Sequence, residues 1–155
     1  VINLPSQLTP SELLYWERLP PFIDTVLQRV QTLRKANKLS EAEQCAQDAI
    51  RASQELGAYV SQALALIHLG DVHREMNQAE TAMTHYEKAY HIFRRQPSQH
   101  QRHNEAVAAY AVGFMHQLLD NKLDALKWYQ TSGQLFESER KRWGLVNAVD
   151  QAMIC

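Results

Sequence analysis

Residues 63–93 read ALALIHLGDVHREMNQAETAMTHYEKAYHIF. Apolar side chains at Leu66, Ile67, Leu69 and Val72 keep helical spacing. Asn77 and Gln78 interrupt the pattern with turn chemistry. It resumes on one helical face with Ala82, Met83, Tyr86, Ala89 and Tyr90. The stretch therefore predicts two helices joined by a tight turn. Gly70, Ala82 and Ala89 are small residues standing where the two helices would touch most closely. A glycine inside a helix costs about 1 kcal/mol relative to alanine. Gly70 thus predicts a point where another element must come close.

The same pattern returns on both sides. Upstream, Ile23, Val26, Leu27, Val30 and Leu33 form one apolar stripe, Asn37-Lys38 a turn, and Ala42, Ala46, Ala49 and Ile50 a second stripe ended by Gly57. Downstream, Gly113, Ala125 and Tyr129 fall in register with Gly70, Ala82 and Tyr86, with Ser132 in place of Ala89. The period is about 40 to 43 residues. The third turn, Asp120-Asn121-Lys122, is expected to carry a one-residue slip. Residues 143–155 repeat the start of the central unit, Gly144 against Gly57, and predict a further first helix or a cap. Ahead of the repeats, Thr9-Pro10-Ser11-Glu12 has the form of a capping box. It predicts a short helix from Ser11 to about Leu19, stopped by Pro20-Pro21.

Together these residues resemble the tetratricopeptide repeat (TPR), whose signature positions here read Leu66, Leu69-Gly70, His73, Ala82, Tyr86 and Ala89. His73 departs, since tyrosine is usual there. The period exceeds the family's common form of about 34 residues. Similar longer repeats occur in kinesin light chains, in the Leu-Gly-Asn family of G-protein regulators and in many bacterial regulators. The resemblance implies an all-α fold. It would be a right-handed α-solenoid of stacked antiparallel helix hairpins, about three repeats with N-terminal and C-terminal capping helices. The expected division is an extension over 1–20 and a TPR-like domain over 21–155, with repeats at 21–56, 58–96 and 102–138 and a partial or capping helix at 143–155.

Composition fits this reading and excludes others. The net charge of −1 gives no global pull toward nucleic acid or an anionic membrane. No apolar run approaches the roughly 20 residues of a membrane span. No basic-then-apolar leader is visible, and the two cysteines make no disulfide framework. A cytoplasmic location is expected. Cys45, among alanines, reads as a small packed side chain. The start at Val1 and the apolar end suggest a domain excised from a longer protein.

The functional expectation is a non-catalytic protein–protein interaction module, with no cofactor and no metal. Its partner would be a protein or peptide, received as an extended peptide or a helix in a concave groove. The resemblance places the ligand-facing positions on the first helix of each repeat: Leu27, Ile67 and Tyr110; Gln31, Asp71 and Phe114; Arg34, Arg74 and Gln117; Lys35, Glu75 and Leu118. Tyr110, Phe114 and Leu118 form one aromatic and apolar stripe. The alternative is a regulatory sensor repeat domain of a larger bacterial signalling ATPase or transcription regulator. The lysine and asparagine pattern of a chaperone-tail clamp is absent, those places holding Leu27, Ile67, His68 and Asp71.

The seven histidines lack metal-site spacing: His68 and His73 are not an i, i+4 pair, and His100 and His103 are expected in a polar loop. His73 and His116 are expected to pack between helices. No Gly-x-Ser-x-Gly or phosphate loop is present, and Asp71 with Glu75 beside Arg74 reads as groove electrostatics rather than an acid–base couple. The run Arg140-Lys141-Arg142 next to Glu137 and Glu139 reads as a solvated face, not a nucleic-acid patch. The apolar terminal helix invites self-association.

Overall fold

The structure, a computed structural model, describes residues 9–15 and 19–154, with side chains as far as Arg142. Among these residues the chain is all-α. A 3-10 turn at Pro10–Leu13 precedes α1 (Pro21–Lys35), α2 (Leu39–Leu56), α3 (Tyr59–Glu75), α4 (Ala79–Arg94), α5 (His100–Leu118) and α6 (Lys122–Ile154). Each helix packs on its neighbours in the chain. In addition α1 touches α3, and the 3-10 turn touches α3 and α5. The helix α3 is buried continuously from Ala63 to His73. Its sequence is apolar around the cylinder, which suits a helix enclosed by others.

Three turns share one mechanism. Asn37, Asn77 and Asp120 adopt φ of 59°, 61° and 62°. The left-handed region is costly for most side chains, and Asn and Asp tolerate it best after glycine. Each residue's N–H bonds back into the helix it ends: Asn37 to Arg34, Asn77 to Arg74 and Asp120 to Gln117. The next N–H reaches further back, Lys38 to Leu33, Gln78 to His73 and Asn121 to His116, at 2.9, 2.9 and 2.8 Å. This is the Schellman pattern, which satisfies carbonyls that a helix end leaves open. Gly57 ends α2 in the same way at φ 65°.

The packing slot between paired helices is also shared. A Cβ placed on Gly70 would lie 2.5 Å from the Tyr86 ring, and one on Gly113 would lie 2.9 Å from the Tyr129 ring. The corresponding positions at the start of the chain hold Val30 and Ala46, both wholly buried in one cluster with Leu33, Ala42, Leu69 and Val72. Volume has moved from one helix to the other while the slot stays filled. Cys45 is free and packs against this second cluster.

Four expectations are corrected. The predicted helix from Ser11 to Leu19 is only the turn Pro10–Leu13, after which Leu14 is extended at ψ 146°; residues 16–18 lie outside the described residues. Thr9 makes no side-chain cap bond; its hydroxyl instead meets the Glu12 carboxylate at 3.2 Å. The third turn carries no slip, because Asp120 follows Gly113 at the spacing that separates Asn77 from Gly70. The segment predicted as a separate helix at 143–155 continues α6, a 33-residue helix through Gly144 to Ile154. The expected self-association face falls on side chains outside the described residues.

The two glycine slots differ in how much they can give. Tyr86 is fully buried and its hydroxyl is bonded, whereas Tyr129 is half-buried. Gly70→Ala gains about 1 kcal/mol of helix propensity and loses about 1–3 kcal/mol to overpacking. We expect urea unfolding to show net destabilisation for Gly70→Ala and a smaller change for Gly113→Ala. Equal losses at the two sites would contradict this packing argument.

Candidate functional site

Thr9–Tyr15 lies across the face formed by α1, α3 and α5. Most of its hydrogen bonds to that face read backbone. The Ser11 N–H donates to Asp71 Oδ2 at 3.1 Å. The Leu13 carbonyl meets His103 Nε2 at 2.7 Å. The Tyr15 N–H donates to Asn104 Oδ1 at 2.7 Å, and Asn104 Nδ2 donates to the Tyr15 carbonyl at 3.0 Å. Asn104 is fully buried, and a further bond to Gln101 Oε1 at 2.9 Å fixes its amide. One side chain thus pairs both backbone groups of one residue, as a neighbouring strand would.

The contacts to side chains are fewer. Arg34 Nη2 reaches Glu12 Oε1 at 3.3 Å and Thr9 Oγ1 at 3.4 Å, while Nη1 bonds Glu75 at 2.6 Å. Leu14 joins the buried cluster that contains Leu27, Leu64, Ile67 and Val107. The Tyr15 ring stacks on His100 at 4.4 Å.

Asp71 is the pivot of this arrangement. It is fully buried and accepts from Ser11 on one oxygen and from the Tyr86 hydroxyl, at 2.5 Å, on the other. Burial pushes its carboxyl above the ordinary range, against the Ser11 and Tyr86 bonds and the Arg74 and Arg34 charges that hold it down. Burial likewise pushes the Tyr86 hydroxyl well above its usual value. Both ring nitrogens of His103 face acceptors, the Leu13 carbonyl and Glu139 Oε2 at 3.0 Å. Both bonds therefore form together only when the ring carries two protons.

The expected site residues divide. Arg34 and Asp71 hold the segment directly. Gln31 lines a cleft of about 610 Å³ between the segment and α1, with Ser11, Glu12, Leu14, Gln28, Thr32 and Lys35. Tyr110 and Phe114 line a second, more apolar cleft of about 570 Å³ with Gln117, Tyr129 and Phe136. Arg74 sits over the Phe114 ring at 5.9 Å. Leu118 is 56% exposed at the end of α5. Leu27 and Ile67 are wholly buried, in the cluster that Leu14 joins, and offer no surface while the segment is seated. Asp71 is likewise wholly buried, and the oxygen not bonded to Tyr86 accepts from the Ser11 N–H.

His100, His103, Asn104 and Gln101 were not expected. They stand in the first turns of α5, not in a loop, ahead of the positions the repeat signature covers. A His-x-x-His-Asn run at a helix start, in which Asn104 is buried but neither histidine is, carries no periodic signal that would single it out. His73 packs as expected, its ring 5.1 Å from His85 and its Nδ1 2.7 Å from Gln78. Among the described residues no group of three His, Cys, Asp or Glu is placed to hold a metal ion. Nor is any helix long and apolar enough to cross a membrane. Arg140 is occupied by Glu137 in a two-bonded exposed pair.

Comparison with protein-family models, with curated proteins and with solved structures gives no match.

His68 lies next to this site, fully buried on α3, and burial with the Arg34 charge lowers its pKa from 6.5 to about 3. The folded chain therefore takes up this proton later than the unfolded chain. The resulting stability is complete above pH 6.5 and is lost as pH falls toward 3. Asp71 acts in the opposite sense, its raised carboxyl favouring the folded state at low pH. The test is therefore a difference. Between about pH 7 and about pH 5, the melting temperature of a His68→Gln variant should fall less steeply than that of the native chain. Parallel curves would contradict the assignment.

Proposed function

We propose that this chain is a TPR-like α-solenoid and a non-catalytic interaction module, whose first-helix groove on α1, α3 and α5 receives an extended peptide. Three structural features support the solenoid. The Schellman turns recur at Asn37, Asn77 and Asp120. The glycine–tyrosine slot recurs in two units. Each helix packs on its sequence neighbours.

The observation that carries the functional reading is the seating of Thr9–Tyr15. An irregular segment of the chain already occupies the face, held mainly by side chains that pair with its backbone. Backbone pairing supplies affinity in peptide recognition, and apolar pockets supply selectivity. Between α5 and α6, Tyr110, Phe114 and Phe136 leave an open aromatic cleft. Aromatic side chains of this kind dominate binding energy when a partner covers them.

Peptides of roughly ten residues, selected from a random phage-displayed library, provide the test. Added to the labelled chain, they should shift amide signals of Gln31, Arg74, Tyr110 and Phe114 on the first-helix face. Tyr110→Ala or Phe114→Ala should weaken binding by about tenfold while leaving the circular-dichroism melt intact. Shifts confined to α2 and α4, or an unfolded Phe114→Ala chain, would overturn the reading.

A further inference from the structure

We infer that Thr9–Tyr15 is a built-in competitor. It occupies the groove as an intramolecular stand-in for a partner peptide that carries an acidic residue and, two positions later, an apolar anchor. This rests on the peptide-groove reading above and adds both the ligand's chemistry and its regulation.

The segment shows what the face recognises. Asp71, His103 and Asn104 address only backbone groups, so they accept any chain running along the same path. Selectivity comes from two side chains. Glu12 meets the Arg34 guanidinium, a cation almost fully buried and already shared with Glu75. Burial works against that charge, and the bond to Glu75 with the fields of Asp71 and Glu75 outweighs it. An arginine so placed is a fixed, pre-oriented carboxylate receptor. Leu14 enters the buried cluster. The partner motif is therefore acidic–x–apolar, with the acidic residue in a 3-10 turn and the apolar one in the extended chain that follows.

The segment is also built to leave. It holds one 3-10 turn and then extended chain; Thr9, Pro10, Ser11 and Leu14 are buried, while Glu12 and Tyr15 keep part of their surface exposed as they meet Arg34 and His100. Elements with few buried apolar contacts open locally, ahead of global unfolding. A tethered occupant has a high effective concentration, commonly millimolar. An external peptide therefore binds with an affinity reduced by the fraction of chains whose groove is open. The face is incompletely filled as well: one cleft opens between the segment and α1, and the aromatic cleft between α5 and α6 is lined by no residue of the segment. A longer partner gains contacts that the segment does not make.

Two measurements on the full chain test this. In native-state hydrogen exchange, the Ser11 and Tyr15 amides should exchange at least about a hundredfold faster than the Ile67 amide, through local opening. Exchange at the Ile67 rate would make the segment part of the core and overturn the inference. The second uses a Ser11→Pro/Tyr15→Pro chain, which removes the two donated N–H groups without altering the groove. An acetylated, amidated TPSELLY peptide should bind this chain at least about tenfold tighter than the native chain. Versions with Glu12→Ala or Leu14→Ala should lose about tenfold. Equal binding to both chains, or indifference to either peptide change, overturns it. So does a dimeric native chain in light scattering that exchanges its segment with a second copy. Should the double variant not fold, the exchange experiment decides alone. A library-selected peptide that binds at Phe114 while Ser11 and Tyr15 stay protected would overturn this inference and leave the groove reading standing. A folded double variant that binds neither TPSELLY nor a selected peptide would overturn the groove reading itself.

Discussion

The absent side chain at Gly70 ties the packing of this molecule to its surface chemistry. Because nothing projects from that Cα, the Tyr86 ring lies where a Cβ would stand only 2.5 Å away. At that depth the hydroxyl meets Asp71, the next residue along α3. A buried carboxylate is expensive unless its oxygens are satisfied. Tyr86 satisfies one, and the other turns outward to the Ser11 amide. A helix-packing detail between α3 and α4 thus ends as a hydrogen-bond acceptor aimed at passing backbone.

The same slot elsewhere in the chain produces no such acceptor, and the comparison isolates the cause. Gly113 admits Tyr129, but Phe114 follows it, and the Tyr129 hydroxyl turns to Gln117 at the surface instead. Val30 fills the slot from its own helix, Ala46 faces it, and Gln31 follows. One packing solution therefore carries three different surfaces: polar beside α1, acidic and buried at α3, aromatic on α5. Variation in the residue after the slot leaves the core volume nearly unchanged. This is how a repeated framework diversifies what it contacts without losing its packing.

Much of the framework is legible in the residues. Asn77 between two apolar stripes announces a turn, and Gly70 inside a stripe announces a close approach, because each would be unfavourable without that purpose. The resemblance points to Arg34 and Asp71, and both meet the Thr9–Tyr15 segment. The segment's own course is not legible, since Thr9-Pro10-Ser11-Glu12 satisfies the local rule for a helix start. Asn104 takes both backbone groups of Tyr15, which would otherwise continue the helix, while the Ser11 N–H that Asp71 accepts is one a first turn leaves open. The helix expected to begin anew near Trp143 likewise depended on one glycine, Gly144, which a long helix absorbs at about 1 kcal/mol. Leu27 and Ile67 occupy formal groove positions, yet Leu14 belongs to the same buried cluster. Their exposure depends on an occupant that no periodic pattern reveals.

The long period acquires a physical role in this arrangement. The segment meets α1 and α3 near their C-terminal ends, at Arg34 and Asp71, and meets α5 in its first turns, at His100, His103 and Asn104. Its path is oblique to the helices. A contact at the start of α5 requires that helix to begin well before the signature glycine, and α5 has 19 residues against 15 in α1. At 1.5 Å per residue, those additional residues extend the helix by roughly 6 Å. Those residues, 100–103, carry the two histidines that meet Tyr15 and Leu13, and Asn104 follows them at the level where α1 begins. The residues inserted between repeats are therefore not slack in a connecting loop. They form the far wall of the face, and a helix shorter by that turn would lose both histidine contacts to the segment.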